Sequence, residues 1–325
     1  PAGVGMKSDA IDFLRTHDSF LILGHKEPDG DCIASQIAIA TILSALGKKA
    51  STHSVGPFDR PEIETFANRF TAVIPDEKLR DAAVIIVDCS TPDRTGALGS
   101  QVEGLPTLVI DHHSAGETFG TARYVDDRAP STTFLVFSLF EELGITVDPE
   151  TAHLLLFGFC TDTGFFRHLG KGSPETFQTL SRIAACGTSP AEVYMMIYGR
   201  RDLSGRKLLG ELLVRVESYR EGRLLISWQT IEDRRKHEVR QRGEDELYRL
   251  LQTVRGAVVV ALIKEEGEDR FSVGLRSNPS VDVGRVAASF GGGGHRQAAG
   301  FDIPGTLDSV KAVVIKAFAN VDLPL

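Results

Sequence analysis

Three apolar runs in the first half of the chain end on groups that bind metals or move protons. "LILGHKEPDGD" delivers His25, Asp29 and Asp31, "VIIVDCS" delivers Asp88, and "LVIDHH" delivers Asp111, His112 and His113; "CTDTG" adds Asp162. Taken singly, each has an ordinary explanation. An Asp after a strand is commonly a turn former or helix cap, and Asp29-Gly30 is a common turn dipeptide. Turn chemistry, however, requires neither a paired histidine after "VID" nor a histidine directly beyond an apolar strand. Like charges within about 4–6 Å disfavour one another's ionisation by units of pKa, so carboxylates crowded in this way call for bound divalent cations. Carboxylates with one or two imidazoles suit Mn²⁺, with Mg²⁺ or Co²⁺ as lesser candidates. Six candidate ligands exceed the needs of one ion with an open position, and two ions about 3.5–4 Å apart are the better count.

The elements that must position these groups are legible as patterns. Residues 19–24, 82–88 and 107–111 are continuous apolar runs of the kind found in buried parallel strands. Between and after them, 32–47, 131–144 and 148–164 read as helices, with Ser131 as N-cap, Gly144 as C-cap and Pro149 at the first helical position. This alternation predicts an α/β fold with a mostly parallel sheet sandwiched by helices, whose ligands bind beyond the carboxyl ends of the strands. Helical patterns follow at 174–186, 190–198 and 203–218. Strands at 222–228, 257–265 and 270–277, with a helix at 244–254, then predict a smaller C-terminal α/β domain. The expected boundaries are a catalytic domain over 6–186, a helical connector over 187–218 and a substrate-binding domain over 219–325, with the active site in the cleft between the domains. The charge run "DRRKHEVRQR" (233–242) reads as a solvated helix face.

Bulk properties narrow the field. At 325 residues the chain exceeds one compact domain, and 42% hydrophobic with 25% charged residues marks it as globular. No apolar run approaches the roughly 18 residues that span a bilayer. A basic segment leading into an apolar stretch is also missing, so a cytoplasmic protein is expected. Cys32, Cys89, Cys160 and Cys186 lack CxxC spacing and read as reduced, buried thiols. A net charge of −8 argues against coating extended duplex DNA, although a small anionic ligand needs only one basic pocket.

That pocket is expected near "GGGGHRQAAG" (291–300). Successive glycines carry a conformational-entropy penalty, and their uncrowded amides can form an anion nest. His295, and Arg276 of "GLRS" (274–277), would add charge and donors toward a terminal phosphate. The competing reading is a long turn after "VGRVAASF".

Together, "GHKEPDGD", "VDCS", "DHH" and "TDTG" match in order the four motifs of the DHH phosphoesterase superfamily. The "GLRS" and "GGGGHRQAAG" pair resembles the DHH-associated C-terminal domain. The resemblance covers nearly the whole chain, and the compact length is similar to the NrnA type, oligoribonucleases that also dephosphorylate 3′-phosphoadenosine 5′-phosphate (pAp). It implies that His25 and Asp29 hold one Mn²⁺, that Asp31, His112 and Asp162 hold the second, and that Asp88 bridges both. Asp111 would orient a histidine, while His113 would stand at the scissile phosphate as oxyanion stabiliser or leaving-group acid. Arg276, Ser277, Gly292, Gly293, Gly294 and His295 would bind substrate.

The implied activity is hydrolysis of short oligoribonucleotides (nano-RNA) to 5′-mononucleotides and of pAp to AMP. A cyclic-di-AMP or pApA phosphodiesterase is the alternative. A non-catalytic nucleotide sensor is a different class of answer, and its signature would be a lost ligand. No membrane or extended duplex DNA is an expected partner, and a homodimer is one open assembly. Ala34 where many relatives carry Gly, the missing Asn-Thr pair near Arg167, and Pro279 all bear on substrate preference.

Overall fold

The computed structural model describes residues 2–113, 117–170, 173–199, 201–237 and 244–324. The chain divides into two compact units, Pro1–Arg200 and Arg201–Leu325.

The first unit is built on strands β1 (Ser19–Leu23), β2 (Lys49–His53), β3 (Ala83–Val87), β4 (Thr107–Asp111) and β5 (Ala122–Val125). Among the described residues they form one five-stranded sheet in the order β2-β1-β3-β4-β5, parallel throughout. The apolar runs are continuous because both faces are covered. Phe20, Ile22, Ile85 and Ile110 face one core, while Leu21, Leu23, Val84 and Ile86 face the other. The first core is closed by helices α1 (Ala2–Thr16), α2 (Gly30–Ala45), α3 (Thr132–Leu143), α4 (Pro149–Asp162), α5 (Pro174–Ala185) and α6 (Pro190–Tyr198). Short helices at Asp76–Leu79 and Ala97–Gln101 lie in the segments flanking β3.

Local signals act as chemistry requires. Asp29 caps α2 by accepting from the amides of Asp31 and Cys32. Ser131 caps α3, and Gly144 ends it in the left-handed region at φ +66. Asp148 caps α4, with Pro149 following. Strands β2 and β5, "KASTH" and "ARYV", are additions to the predicted pattern. As edge strands they carry no continuous apolar run, which is why composition did not reveal them.

The second unit contains α7 (Leu203–Val214), β6 (Glu217–Tyr219), β7 (Leu224–Gln229), α8 (Ile231–Lys236), α9 (Glu244–Leu251), β8 (Val259–Gly267), β9 (Arg270–Ser277), α10 (Val283–Ala288), β10 (Gly293–His295), β11 (Ala298–Pro304) and α11 (Leu307–Ala317). Its sheet runs β10-β11-β9-β8-β7-β6 and is antiparallel except for the β7–β8 pair. The stretch 187–218 therefore contributes α6 to the first unit and α7 to the second.

The described part of 233–242 is a solvated face only in part, since Arg235 and Lys236 are exposed while Asp233 and His237 are buried. Asp233 is buried, accepts from Arg215 Nη1 at 2.6 Å and Nη2 at 3.0 Å, and closes a capping box with Thr230. Residues 238–242 lie outside the described residues. Among the described residues, no helix is long and apolar enough to cross a membrane.

Candidate metal centre

In a parallel sheet every strand delivers its carboxyl end to the same edge. Here β1 and β3 are neighbours, with β2 beyond one and β4 beyond the other. The chain thus reverses direction of travel between β1 and β3, the position where such sheets bind ligands. His25 follows β1, Asp88 follows β3 and Asp111 ends β4. Val87 pairs with Ile110, so Asp88 and Asp111 emerge side by side. Asp88 has φ +55, a left-handed conformation for a residue other than glycine, of the kind that concentrates at functional sites.

The structure brings several of these carboxylates and imidazoles together. Asp31, His112 and Asp162 offer ligand atoms within 4.8 Å of one another, as do Asp88, His112 and His113, and also His25, Cys32 and Asp88. His25 Nε2 stands 3.4 Å from Asp88 Oδ2 and 3.8 Å from Asp29 Oδ1. Asp29 is turned partly to its own helix, since its Oδ1 receives the Asp31 and Cys32 amides at 3.1 Å each.

Two imidazoles share one posture. His25 Nδ1 lies 2.8 Å from the Lys26 carbonyl and His112 Nδ1 lies 3.3 Å from the Ala129 carbonyl. A carbonyl only accepts, so Nδ1 donates and Nε2 is the nitrogen turned into the cluster, the posture of metal-bound histidines. His112 Nε2 is buried and makes no hydrogen bond, although Asp162 Oδ2 is 3.1 Å away and Asp88 Oδ1 is 3.7 Å away. A buried ring nitrogen that faces carboxylates without a hydrogen bond is an arrangement that a cation relieves. These residues fit divalent ions.

His113 is oriented the other way. Its Nδ1 lies 2.7 Å from Asp111 Oδ1, leaving Nε2 outermost, and its side chain is 36% exposed against 15% for His112 and 5% for His25. The hydrogen bond that His113 donates to Asp111 raises the His113 pKa from its ordinary value.

Electrostatics report the same crowding. Burial, and then the charges of Asp88 and Asp162, hold Asp31 well above the usual carboxylate range. Asp162 is pushed up to about 6, first by burial and then by Asp88 and Asp29, against the pull of His112. His25 is raised although burial lowers it, because Cys32, Asp29 and Asp88 face it.

Two contributors escaped the sequence reading. Asp31 is fully buried. It accepts from Thr132 N at 2.6 Å, Thr133 N at 2.9 Å and Thr133 Oγ1 at 2.6 Å, and so draws on the amino-terminal amides of α3. Thr132 Oγ1 donates to Asp88 Oδ1 at 3.1 Å. A signal was present: "STTF" carries three hydroxyls where one N-cap suffices. A Cβ on Gly158 would stand 2.5 Å from Thr133 Cγ2 and 3.0 Å from Asp31 Oδ1, so α4 approaches this network only through a glycine. Cys32 is the buried thiol expected, and its sulfur also lies in the His25–Asp88 cluster.

The C-terminal candidates gather only in part. Arg276 lies over the Tyr248 ring at 4.6 Å and borders a cavity of about 460 Å³ that also meets Lys264, Gly274, Gly292 and Gly300. Gly274, Gly300 and Gly293 pair abreast across β9, β11 and β10, giving that face a floor free of Cβ atoms. Gly293, Gly294 and His295 form the exposed strand β10 rather than an irregular loop. The amides of Gly291 and Gly292 donate to Ala288 and Ala287 carbonyls, which removes them from any anion nest. Ser277 is buried and its hydroxyl donates to the Val281 carbonyl, so its side chain does not join the cavity.

Comparison with known proteins places the chain among relatives of shared family and fold. The DHH family N-terminal domain matches residues 19–159, and the DHHA1 domain matches 235–320. The chain is 32% identical over 301 residues to the bifunctional oligoribonuclease and PAP phosphatase NrnA of Thermus thermophilus, covering 91% of this chain and 88% of that one. An exopolyphosphatase-related protein from Bacteroides fragilis has a similar structure, with a TM-score of 0.84 at 21% identity over 96% of this chain and 95% of that one. RecJ of Thermus thermophilus in complex with Mn²⁺ aligns with a TM-score of 0.54 at 16% identity, covering 99% of this chain and 55% of that one.

Proposed function

The chain belongs to the DHH phosphoesterase family and is a phosphoester hydrolase, and from that premise we propose that it cleaves short oligoribonucleotides to 5′-mononucleotides and pAp to AMP with two Mn²⁺ ions. One observation carries the metal reading: the buried, unbonded Nε2 of His112 among the carboxylates of Asp31, Asp88 and Asp162. The substrate reading is supported by the relative from Thermus thermophilus, whose name pairs those two activities and whose likeness spans both units.

Asp31, His112 and Asp162 would hold one ion, His25 and Asp29 the other, and Asp88 both. When bound, the ions supply countercharge to the phosphoryl oxygens and Lewis acidity toward the attacking water. The residues around them do the rest. Thr132 and Thr133 fix the carboxylates of Asp88 and Asp31, so neither rotates as charge develops. His113, its Nδ1 held by Asp111, is placed to offer Nε2 as a proton donor to the leaving oxygen, and its raised pKa favours that role. Arg276 and the exposed His295 offer donors to a terminal phosphate.

The test is a panel of pAp, pApA, longer RNA and cyclic-di-AMP, each assayed with Mn²⁺ and with chelator. Turnover of pAp and of two- to four-residue RNA that stops with chelator is expected. Equal turnover of long and two-residue RNA, or a preference for cyclic-di-AMP, would replace the substrate reading.

A further inference from the structure

Cys32 stands in the first turn of α2, between the two acids of "DGD" and the apolar body of the helix. Its Sγ, a nitrogen of His25 and an oxygen of Asp88 lie within 4.8 Å of one another, and all three residues are buried. The approach depends on Gly24 at the end of β1, because a Cβ there would stand 2.2 Å from the sulfur. Any side chain at 24 would displace the thiol from the place where β1 hands over to His25.

The other cysteines contrast with it. Cys89 directs its thiol to the Thr91 carbonyl and Cys186 to the Arg182 carbonyl, while Cys160 is raised by burial alone. Cys32 faces an imidazole whose proton is committed to the Lys26 carbonyl and whose other nitrogen points toward Asp88.

We propose that Cys32 is a ligand in its own right, giving the His25 half of the centre a mixed sulfur, nitrogen and oxygen donor set. Such a set favours borderline ions, Co²⁺ and Zn²⁺, over Mn²⁺ and Mg²⁺, whereas the Asp31–His112–Asp162 half has only oxygen and nitrogen donors. The two halves then differ in metal preference within one centre. The step balances simply: the S–H bond breaks, its proton passes to buffer, and the sulfur electron pair binds the cation. The inference rests on the metal-centre reading above.

Co²⁺ titration of the full chain, stripped with chelator and kept reduced, tests it without reference to turnover. The wild type should develop a near-ultraviolet thiolate-to-cobalt charge-transfer band together with visible d–d absorption, and release an additional proton relative to Cys32→Ser. In Cys32→Ser the charge-transfer band should vanish and the d–d absorption remain, while Cys89→Ser keeps both. Competition should show the Zn²⁺-over-Mn²⁺ preference falling on the order of tenfold in Cys32→Ser. If Cys32→Ser fails to fold, the wild-type spectrum decides alone. Co²⁺ uptake with d–d absorption but no charge-transfer band overturns the role of Cys32 and leaves the metal centre standing. A band that persists in Cys32→Ser likewise overturns it, and no Co²⁺ uptake at all overturns both.

Discussion

In the second unit Asp233 is buried against Arg215, and Glu217 receives Lys311 at 2.7 Å, whereas in the first unit the buried Asp31 and Asp88 and the half-buried Asp162 face one another. The consequences for ionisation are opposite. Asp233 is held down to about 2, because the Arg215 and Thr230 hydrogen bonds outweigh its burial, while Asp162 is driven up to about 6. A buried charge whose counter-ion lies within the fold has its desolvation offset there. Buried like charges, held in place by hydroxyls and helix amides, destabilise the bare chain and mark where a cation from outside completes it.

The comparison breaks first at Asp88. Asp88→Asn should lower kcat by roughly 10²–10³-fold or more, the scale of losing one preorganised electrostatic contact, with an unchanged circular dichroism spectrum. Turnover near the wild-type rate would contradict a shared ligand. Asp233→Asn should leave turnover in place and lower unfolding free energy by about 1 kcal/mol at pH 7, because the charge-assisted bonds to Asp233 weaken while Arg215 keeps the Trp228 carbonyl and Glu211. The sign follows from a depressed carboxylate: its contribution is present above the ordinary value near 3.8 and fades as pH falls toward about 2. Thermal melts at descending pH should therefore show the variant's deficit shrinking below about pH 4.

Asp162→Asn should do the reverse in chelator. Its parent carboxyl is raised, so the folded state is penalised above about pH 6 and relieved below it. The stripped variant should melt higher than the stripped wild type at pH 8, with the gap closing by pH 4. A lower melting temperature at pH 8 would show that the acids are not in conflict. The smallest effect is expected at the second unit's exposed edge. His295→Ala should raise KM for short substrates on the order of tenfold with kcat little changed, the size of one charge-assisted hydrogen bond. An unchanged KM would remove His295 from the substrate.

What the sequence revealed follows from how local each signal is. Strands β1, β3 and β4 were readable because burial on both faces writes an unbroken apolar run. His25, Asp88 and Asp111 were readable because they sit directly at the ends of those runs. The contacts that hold the acids were not: Thr132 and Thr133 meet Asp31 across more than 100 residues of chain. The place of the Cys32 sulfur in the cluster was not legible, because the glycine that admits it, Gly24, reads as an ordinary strand end. Asp233 looked solvated because its partner, Arg215, lies outside the charge run. The glycine tract looked like a loop because strand β10 gains its identity from pairing with β11.

Whether this centre is a pair of cation sites is decided by counting ions. The full chain would be stripped, dialysed against Mn²⁺ and assayed for bound metal beside His112→Ala and Asp88→Ala. The wild type is expected to retain two ions per chain, His112→Ala to lose one, and Asp88→Ala to hold neither tightly. A wild type that retains no ion, or a His112→Ala chain that retains as many as the wild type, would contradict it.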